Sequence, residues 1–250
     1  MKSERSMRSL LLSLFCLLLV PLAYADGEPL VYLVDGEKYE GYFISPEPGS
    51  PFILLLHDWD GLTEYEIRRA NMLAEEGYTV FAADLFGQGV RPVEEVDKRQ
   101  HTGELYQNRE KMRRIMIAAL DAAISKDADI NNAVIMGYCF GGAATLELAR
   151  SGIPMNGFVT FHGGLQTPEG QDYSSTRGKI LVFHGEADTS VTMEDFNRLE
   201  QEFQQYNVVY EMIAYPGAPH AFTVFDTDRY REDADKQSWE RFLAFLKETL

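Results

Sequence analysis

The chain has 250 residues, 45% of them hydrophobic, with 39 acidic side chains against 23 basic and a net charge of −16. That much apolar surface at this length can bury a core and excludes a disordered or fibrous chain. The negative excess repels phosphate backbones and anionic lipid, so neither nucleic acid nor a membrane surface is an expected partner.

In chain order, Lys2, Arg5 and Arg8 precede an apolar run over 10–22 and the small-residue triplet Ala23-Tyr24-Ala25. This pattern reads as a signal peptide over 1–25, cleaved after Ala25, and predicts an exported, periplasmic or secreted protein. The run is shorter than the roughly 20 residues that a membrane span needs. Of the two cysteines, Cys16 falls in that leader, so the domain expected over 26–250 holds Cys139 alone and no intrachain disulfide. A hairpin follows over 30–34 and 38–45, turning at Asp35-Gly36. Next come a Pro/Gly loop over 46–51, a buried strand over 52–56, an amphipathic helix over 64–77 and a strand over 79–83. Residues 91–101 read as a loop or small lid, and 105–125 as one long helix. Strand 133–136, helix 142–150, strands 157–162 and 180–184, helix 193–205, strand 208–215 and helix 235–250 complete the order. This alternation predicts one α/β domain with a mostly parallel central sheet flanked by helices. The acidic residues Asp226, Asp228, Glu232, Asp233 and Asp235 read as solvated charge flanking the last helix. No P-loop, dinucleotide fingerprint or Cys/His ligand cluster occurs, so no metal or cofactor is expected.

Chemistry is concentrated at Gly137-Tyr138-Cys139-Phe140-Gly141. It has the form of a nucleophile elbow, G-x-S-x-G, with cysteine in the serine place and the strand–turn–helix context the motif requires. A cysteine nucleophile needs a base and the base needs an orienting acid. The loop after strand 180–184 carries Asp188, with Glu186 as a rival, and the loop after strand 208–215 carries His220. Nucleophile, acid and histidine thus arrive in the order that an α/β-hydrolase topology demands. The elbow also predicts one oxyanion donor, the N–H of Phe140, and a second from the loop His57-Asp58-Trp59-Asp60-Gly61. His57, His101, His162 and His184 read as structural or pocket-lining, and Asp84 as a structural acceptor.

Four segments resemble the dienelactone hydrolase family of the α/β-hydrolase superfamily: GYCFGG at 137–142, FHGEADTSV at 183–191, HAF at 220–222 and ADLFG at 83–87. The resemblance implies a Cys139–His220–Asp188 triad that hydrolyses small carboxylic esters or lactones through an acyl-enzyme, without a cofactor. It also implies Trp59 as the second oxyanion donor. Asp58 stands where the family places a carboxylate that holds the resting thiol, and reads equally as a turn or capping aspartate. The family's dienelactone enzymes carry arginines where this chain has Gln88 and Val224. A neutral, modestly apolar acyl substrate is therefore expected, with Trp59, Phe86, Phe140 and Phe222 around the mouth. Acyl transfer or thioester hydrolysis on the same triad, and a non-catalytic binding module, remain open at this level.

Overall fold

Apolar runs without polar alternation, such as Phe52 to Leu56 and Ala133 to Met136, can be satisfied only by strands covered on both faces. The computed structural model, which describes residues 26–250, places them at the centre of an eight-stranded sheet; the leader expected over 1–25 lies outside the described residues. The strands are β1 (Glu28–Val34), β2 (Glu37–Ile44), β3 (Pro51–Leu56), β4 (Thr79–Ala83), β5 (Asp129–Tyr138), β6 (Gly157–Phe161), β7 (Lys179–Gly185) and β8 (Tyr210–Tyr215). Their spatial order is β1-β2-β4-β3-β5-β6-β7-β8. The β1/β2 hairpin and the β2/β4 pair are antiparallel, and the other pairs are parallel.

Helices α1 (Glu64–Glu75), α2 (Glu95–Gln107), α3 (Arg109–Ile124), α4 (Phe140–Ser151), α5 (Met193–Gln205) and α6 (Glu232–Thr249) fill the connections. Side chains alternate along β3, and the two faces divide accordingly. Phe52, Leu54 and Leu56 join one core with Met112 and Ile115 of α3, Ala144 and Leu148 of α4, and Leu199 and Phe203 of α5. Ile53 and Leu55 join the other with Ala70 and Leu73 of α1 and Phe242, Phe245 and Leu246 of α6. This is the α/β-hydrolase fold, with helices on both faces of a mostly parallel sheet.

Three expectations are corrected here. Residues 91–101 are not simply loop: α2 begins at Glu95, and the helix expected over 105–125 is two helices broken at Asn108. Asn108 leaves helical geometry (φ −121°, ψ 73°) and its side-chain oxygen accepts the Lys111 N–H at 3.0 Å, capping α3. α2 buries only Thr102 and Leu105, so its sequence carries no apolar stripe to announce it. Likewise Asp235 is not solvated: it is buried and paired with the equally buried Arg69 of α1.

Candidate active site

The C-terminal ends of β3, β5, β7 and β8 deliver their loops to one edge of the sheet, where open α/β sheets bind ligands. Cys139 sits between β5 and α4 with φ 48° and ψ −110°, a left-handed backbone that costs an L-residue of order 1–3 kcal/mol. Glycine makes the turn possible. A Cβ on Gly137 would collide with the Gly141 carbonyl, and one on Gly141 with the carbonyl of Leu56. The helix therefore starts immediately after Cys139, with the Phe140 N–H at its head. Burial, and then the negative charge of Asp58, push the Cys139 thiol well above its usual range, and the Phe140 N–H only partly offsets them.

Three of the expected residues are brought together in line. His220 Nε2 lies 3.1 Å from Cys139 Sγ, and His220 Nδ1 lies 2.7 Å from Asp188 Oδ2. Asp188 Oδ1 accepts the N–H groups of Ser190 at 2.8 Å and Val191 at 2.9 Å. Burial raises the Asp188 carboxyl, but the hydrogen bond and charge of His220, with those two N–H groups, outweigh it and hold the acid below its usual range. With the carboxylate ionised, Nδ1 carries the proton and Nε2 faces the sulfur as an acceptor. The rival Glu186 is exposed, away from this line. Behind His220, His162 is buried at a ring-centroid distance of 5.4 Å and bonds Thr223 Oγ1 through Nε2 at 2.7 Å.

A cleft of about 600 Å³ opens in front of the sulfur, lined by Cys139, Phe140 and His220 together with Asp58 and Trp59. Phe86 and Phe222, expected at the mouth, are not in its lining. Phe222 is fully buried against His162 and Tyr215, and Phe86 packs behind the wall on His57, His101 and Phe140. The missing wall is α2. Glu95, Lys98, Arg99, Thr102 and Tyr106 recur at helical spacing along one face of it and line the cleft. Lys98 pairs with Asp60 at 3.5 Å and Arg99 with Glu95, while Lys98 also lies 5.3 Å from the centre of the Trp59 ring. Val224 borders the cleft too. Arg91 does not: it lies 3.6 Å from the buried Asp84, whose Oδ1 also accepts the Phe86 and Gly87 N–H groups.

Asp58, Asp60 and Glu66 bring carboxylate oxygens within 4.8 Å of one another, the one grouping among the described residues with the makings of a cation site. Glu66 is already committed there. Its Oε1 accepts the Asp58 N–H and its Oε2 accepts both the N–H and hydroxyl of Thr63, which makes it the second half of the α1 capping box. Burial pushes the Glu66 carboxyl up to about 7, and burial followed by its two acidic neighbours raises Asp58 as well. A helix cap accounts for the cluster.

Comparison with known proteins identifies the family. The family model described as "Dienelactone hydrolase family" matches residues 39–250. A protein of Saccharolobus solfataricus, provisionally named carboxymethylenebutenolidase, is 24% identical, with 87% of this chain and 97% of that protein aligned. The solved structure named m3DLH superposes with a TM-score of 0.85 at 28% identity, over 91% of this chain and all of that one. A dienelactone hydrolase-like promiscuous phosphotriesterase from metagenomic libraries gives 0.84, also at 28% identity, covering 91% of this chain and 99% of that one. With the elbow at the head of β5 and a family match that runs from β2 to the last residue, the chain belongs to the dienelactone hydrolase family and is an ester or lactone hydrolase.

Proposed function

We propose that this protein is an exported cysteine hydrolase that cleaves small carboxylic esters or lactones through an acyl-enzyme, with Cys139 as nucleophile, His220 as base and Asp188 as its orienting acid. The observation that carries the reading is the unbroken line Asp188–His220–Cys139, at 2.7 Å and 3.1 Å, at the floor of a cleft. In this mechanism sulfur attacks the carbonyl carbon as its proton passes to His220 Nε2, and the carbonyl electrons move to oxygen. The N–H groups of Phe140 and Trp59 receive that oxyanion. Collapse reforms the carbonyl and expels the alkoxide, which takes the proton from His220. A water deprotonated by His220 then attacks the thioester, and the acid and the thiol are released.

The cleft supports a neutral, modestly apolar acyl group. Val191, Ala221 and Val224 line it beside Trp59, and the cations of α2 that face it are paired with Asp60 and Glu95, which leaves Arg229 as the remaining cation in the lining. Export rests on the basic, apolar and small-residue order of 1–25. It fits a domain whose single thiol is held protonated, since the thiolate is the form that oxidants attack.

The test is hydrolysis of p-nitrophenyl acetate by residues 26–250, with intact-mass detection of an acylated Cys139. Cys139→Ala is expected to lose the adduct and on the order of 10⁴-fold or more in turnover. Equal turnover in the alanine variant, with no adduct in either protein, would refute the nucleophile.

A further inference from the structure

His57 plays no part in the proton path, yet it is fully buried at the end of β3, where the cleft wall begins, with both ring nitrogens bonded to main chain. Its Nε2 lies 2.9 Å from the backbone nitrogen of Leu85, in the loop after β4. A backbone N–H can only donate, so Nε2 accepts and carries no proton. The ring proton is therefore on Nδ1, which lies 2.6 Å from the carbonyl oxygen of Asp58 and donates to it. Burial favours the same neutral imidazole by pushing the group below its ordinary value, against the opposing pull of Asp84.

We propose that His57 is a positioning residue for the oxyanion hole: by holding the Asp58 carbonyl, it aims the N–H of Trp59 at the reacting carbonyl above Cys139. The inference rests on the Cys139 mechanism above. The Asp58–Trp59 peptide is trans, as are the other described peptides, so its C=O and N–H point to opposite sides. A carbonyl tied back to His57 turns the N–H of the same plane away from His57. On that other side lies the cleft, where Trp59 stands in the wall with Cys139 and Phe140. Were this peptide to rotate, the carbonyl dipole would face the place where negative charge develops, and would oppose it. His57 opposes that rotation, and the Leu85 N–H fixes the tautomer that lets it do so. Packing of Phe86 edge-on to the imidazole, at 4.7 Å between ring centres, removes the space in which the ring could turn.

Two substitutions separate the two bonds. The amide nitrogen introduced by His57→Asn occupies the place of Nδ1 and can donate to Asp58, but cannot reach Leu85. The amide oxygen introduced by His57→Gln occupies the place of Nε2 and can accept from Leu85, but leaves the Asp58 carbonyl with only the longer bond from the Gly61 N–H, at 3.4 Å. Each variant is measured for kcat and KM on p-nitrophenyl acetate, and for the rate at which iodoacetamide alkylates Cys139, a displacement that develops no oxyanion. His57→Gln is expected to lose about 10- to 100-fold in kcat, less than the 10²–10³ for deleting a donor outright, with KM little changed. His57→Asn should stay within about fivefold of the parent, and alkylation should be unaltered in both.

Parent-like kcat in His57→Gln overturns the proposal, as does a His57→Asn impaired to the same degree or alkylation that falls in step with turnover. If His57→Gln does not fold, His57→Asn decides alone, since retained turnover supports the role and lost turnover overturns it. Ester hydrolysis by the parent that survives Cys139→Ala would remove the mechanism itself, and this inference with it.

Discussion

Burial and the Asp58 carboxylate both act against the Cys139 thiolate, and the Phe140 N–H at the head of α4 offsets them only in part. In the proposed mechanism the resting nucleophile is then a thiol hydrogen-bonded to His220, and its proton leaves as sulfur attacks. This differs from an ion-paired thiolate, which would be exposed to any oxidant in the cleft. The sign of Asp58's effect is testable. A negative neighbour disfavours the thiolate, so Asp58→Asn should lower the Cys139 pKa and move the pH profile of its alkylation by iodoacetamide to lower pH. Burial raises Asp58 itself, so its field acts on the sulfur only at a pH where that carboxyl is ionised. There the variant should alkylate faster than the parent. An unchanged or higher midpoint would show that Asp58 exerts no field at the sulfur, leaving only its turn bond to the Asp60 N–H, at 3.2 Å.

α2 is the element that shapes the cleft and the one whose sequence announces it least. Its cleft face is Glu95, Lys98, Arg99, Thr102 and Tyr106, and only Thr102 and Leu105 are buried, so no hydrophobic period distinguishes it from a polar loop. The capping signal at Asn108 was present but sat inside what reads as a continuous helical pattern. Replacing Asn108 by alanine removes the acceptor for the Lys111 N–H and should destabilise the fold by about 1 kcal/mol in urea unfolding. No loss would mean that solvent satisfies that N–H equally well.

The strands, by contrast, were legible, most to within two residues, although β5 begins at Asp129, four residues before the expected start. Two-sided burial demands unbroken apolar runs, and Phe52–Leu56, Thr79–Ala83 and the stretch into Cys139 have them. The meeting of Cys139, His220 and Asp188 at one sheet edge was legible too, because strand-end topology fixes their order. What could not be read was the lining. Phe86 and Phe222 pack away from the cleft, and Lys98 and Tyr106 arrive from a helix with no signature. His57's two main-chain bonds also join loops about 28 residues apart, a pairing visible only once β3 and β4 lie side by side.

Across the whole molecule, the requirement is to hold His220 still on a connection that runs from Pro216 to Arg231, a length at which a loop without regular structure is ordinarily mobile. The fold meets it by tying one residue, Thr223, to three side chains. Its carbonyl accepts from Arg69 of α1 at 2.8 Å. Its hydroxyl lies 2.7 Å from the hydroxyl of Tyr65, also on α1, and 2.7 Å from Nε2 of His162 after β6. Arg69 is in turn ion-paired with Asp235 at the start of α6, which also accepts from Tyr230 at 3.1 Å, so both ends of the connection share one buried network. Burial pushes the His162 imidazole well below its usual value, with the nearby His220 adding to the effect, so it stands as a neutral strut at physiological pH.

Thr223→Val keeps the shape and deletes the hydroxyl, leaving the buried Nε2 of His162 unpaired and Tyr65 OH with only a long 3.4 Å contact to Arg69. The expected cost is about 2–6 kcal/mol of stability, at 1–3 kcal/mol for each stranded group. Turnover per folded molecule should fall about tenfold or more, because a base displaced by a fraction of an ångström misses the near-attack geometry. Thr223→Ser, which retains the oxygen, should recover most of both. If the valine variant matched the parent in urea midpoint and in kcat, His220 would have to be held by the Asp188 bond and its own loop alone. The network from α1 to α6 would then serve the core without serving the site.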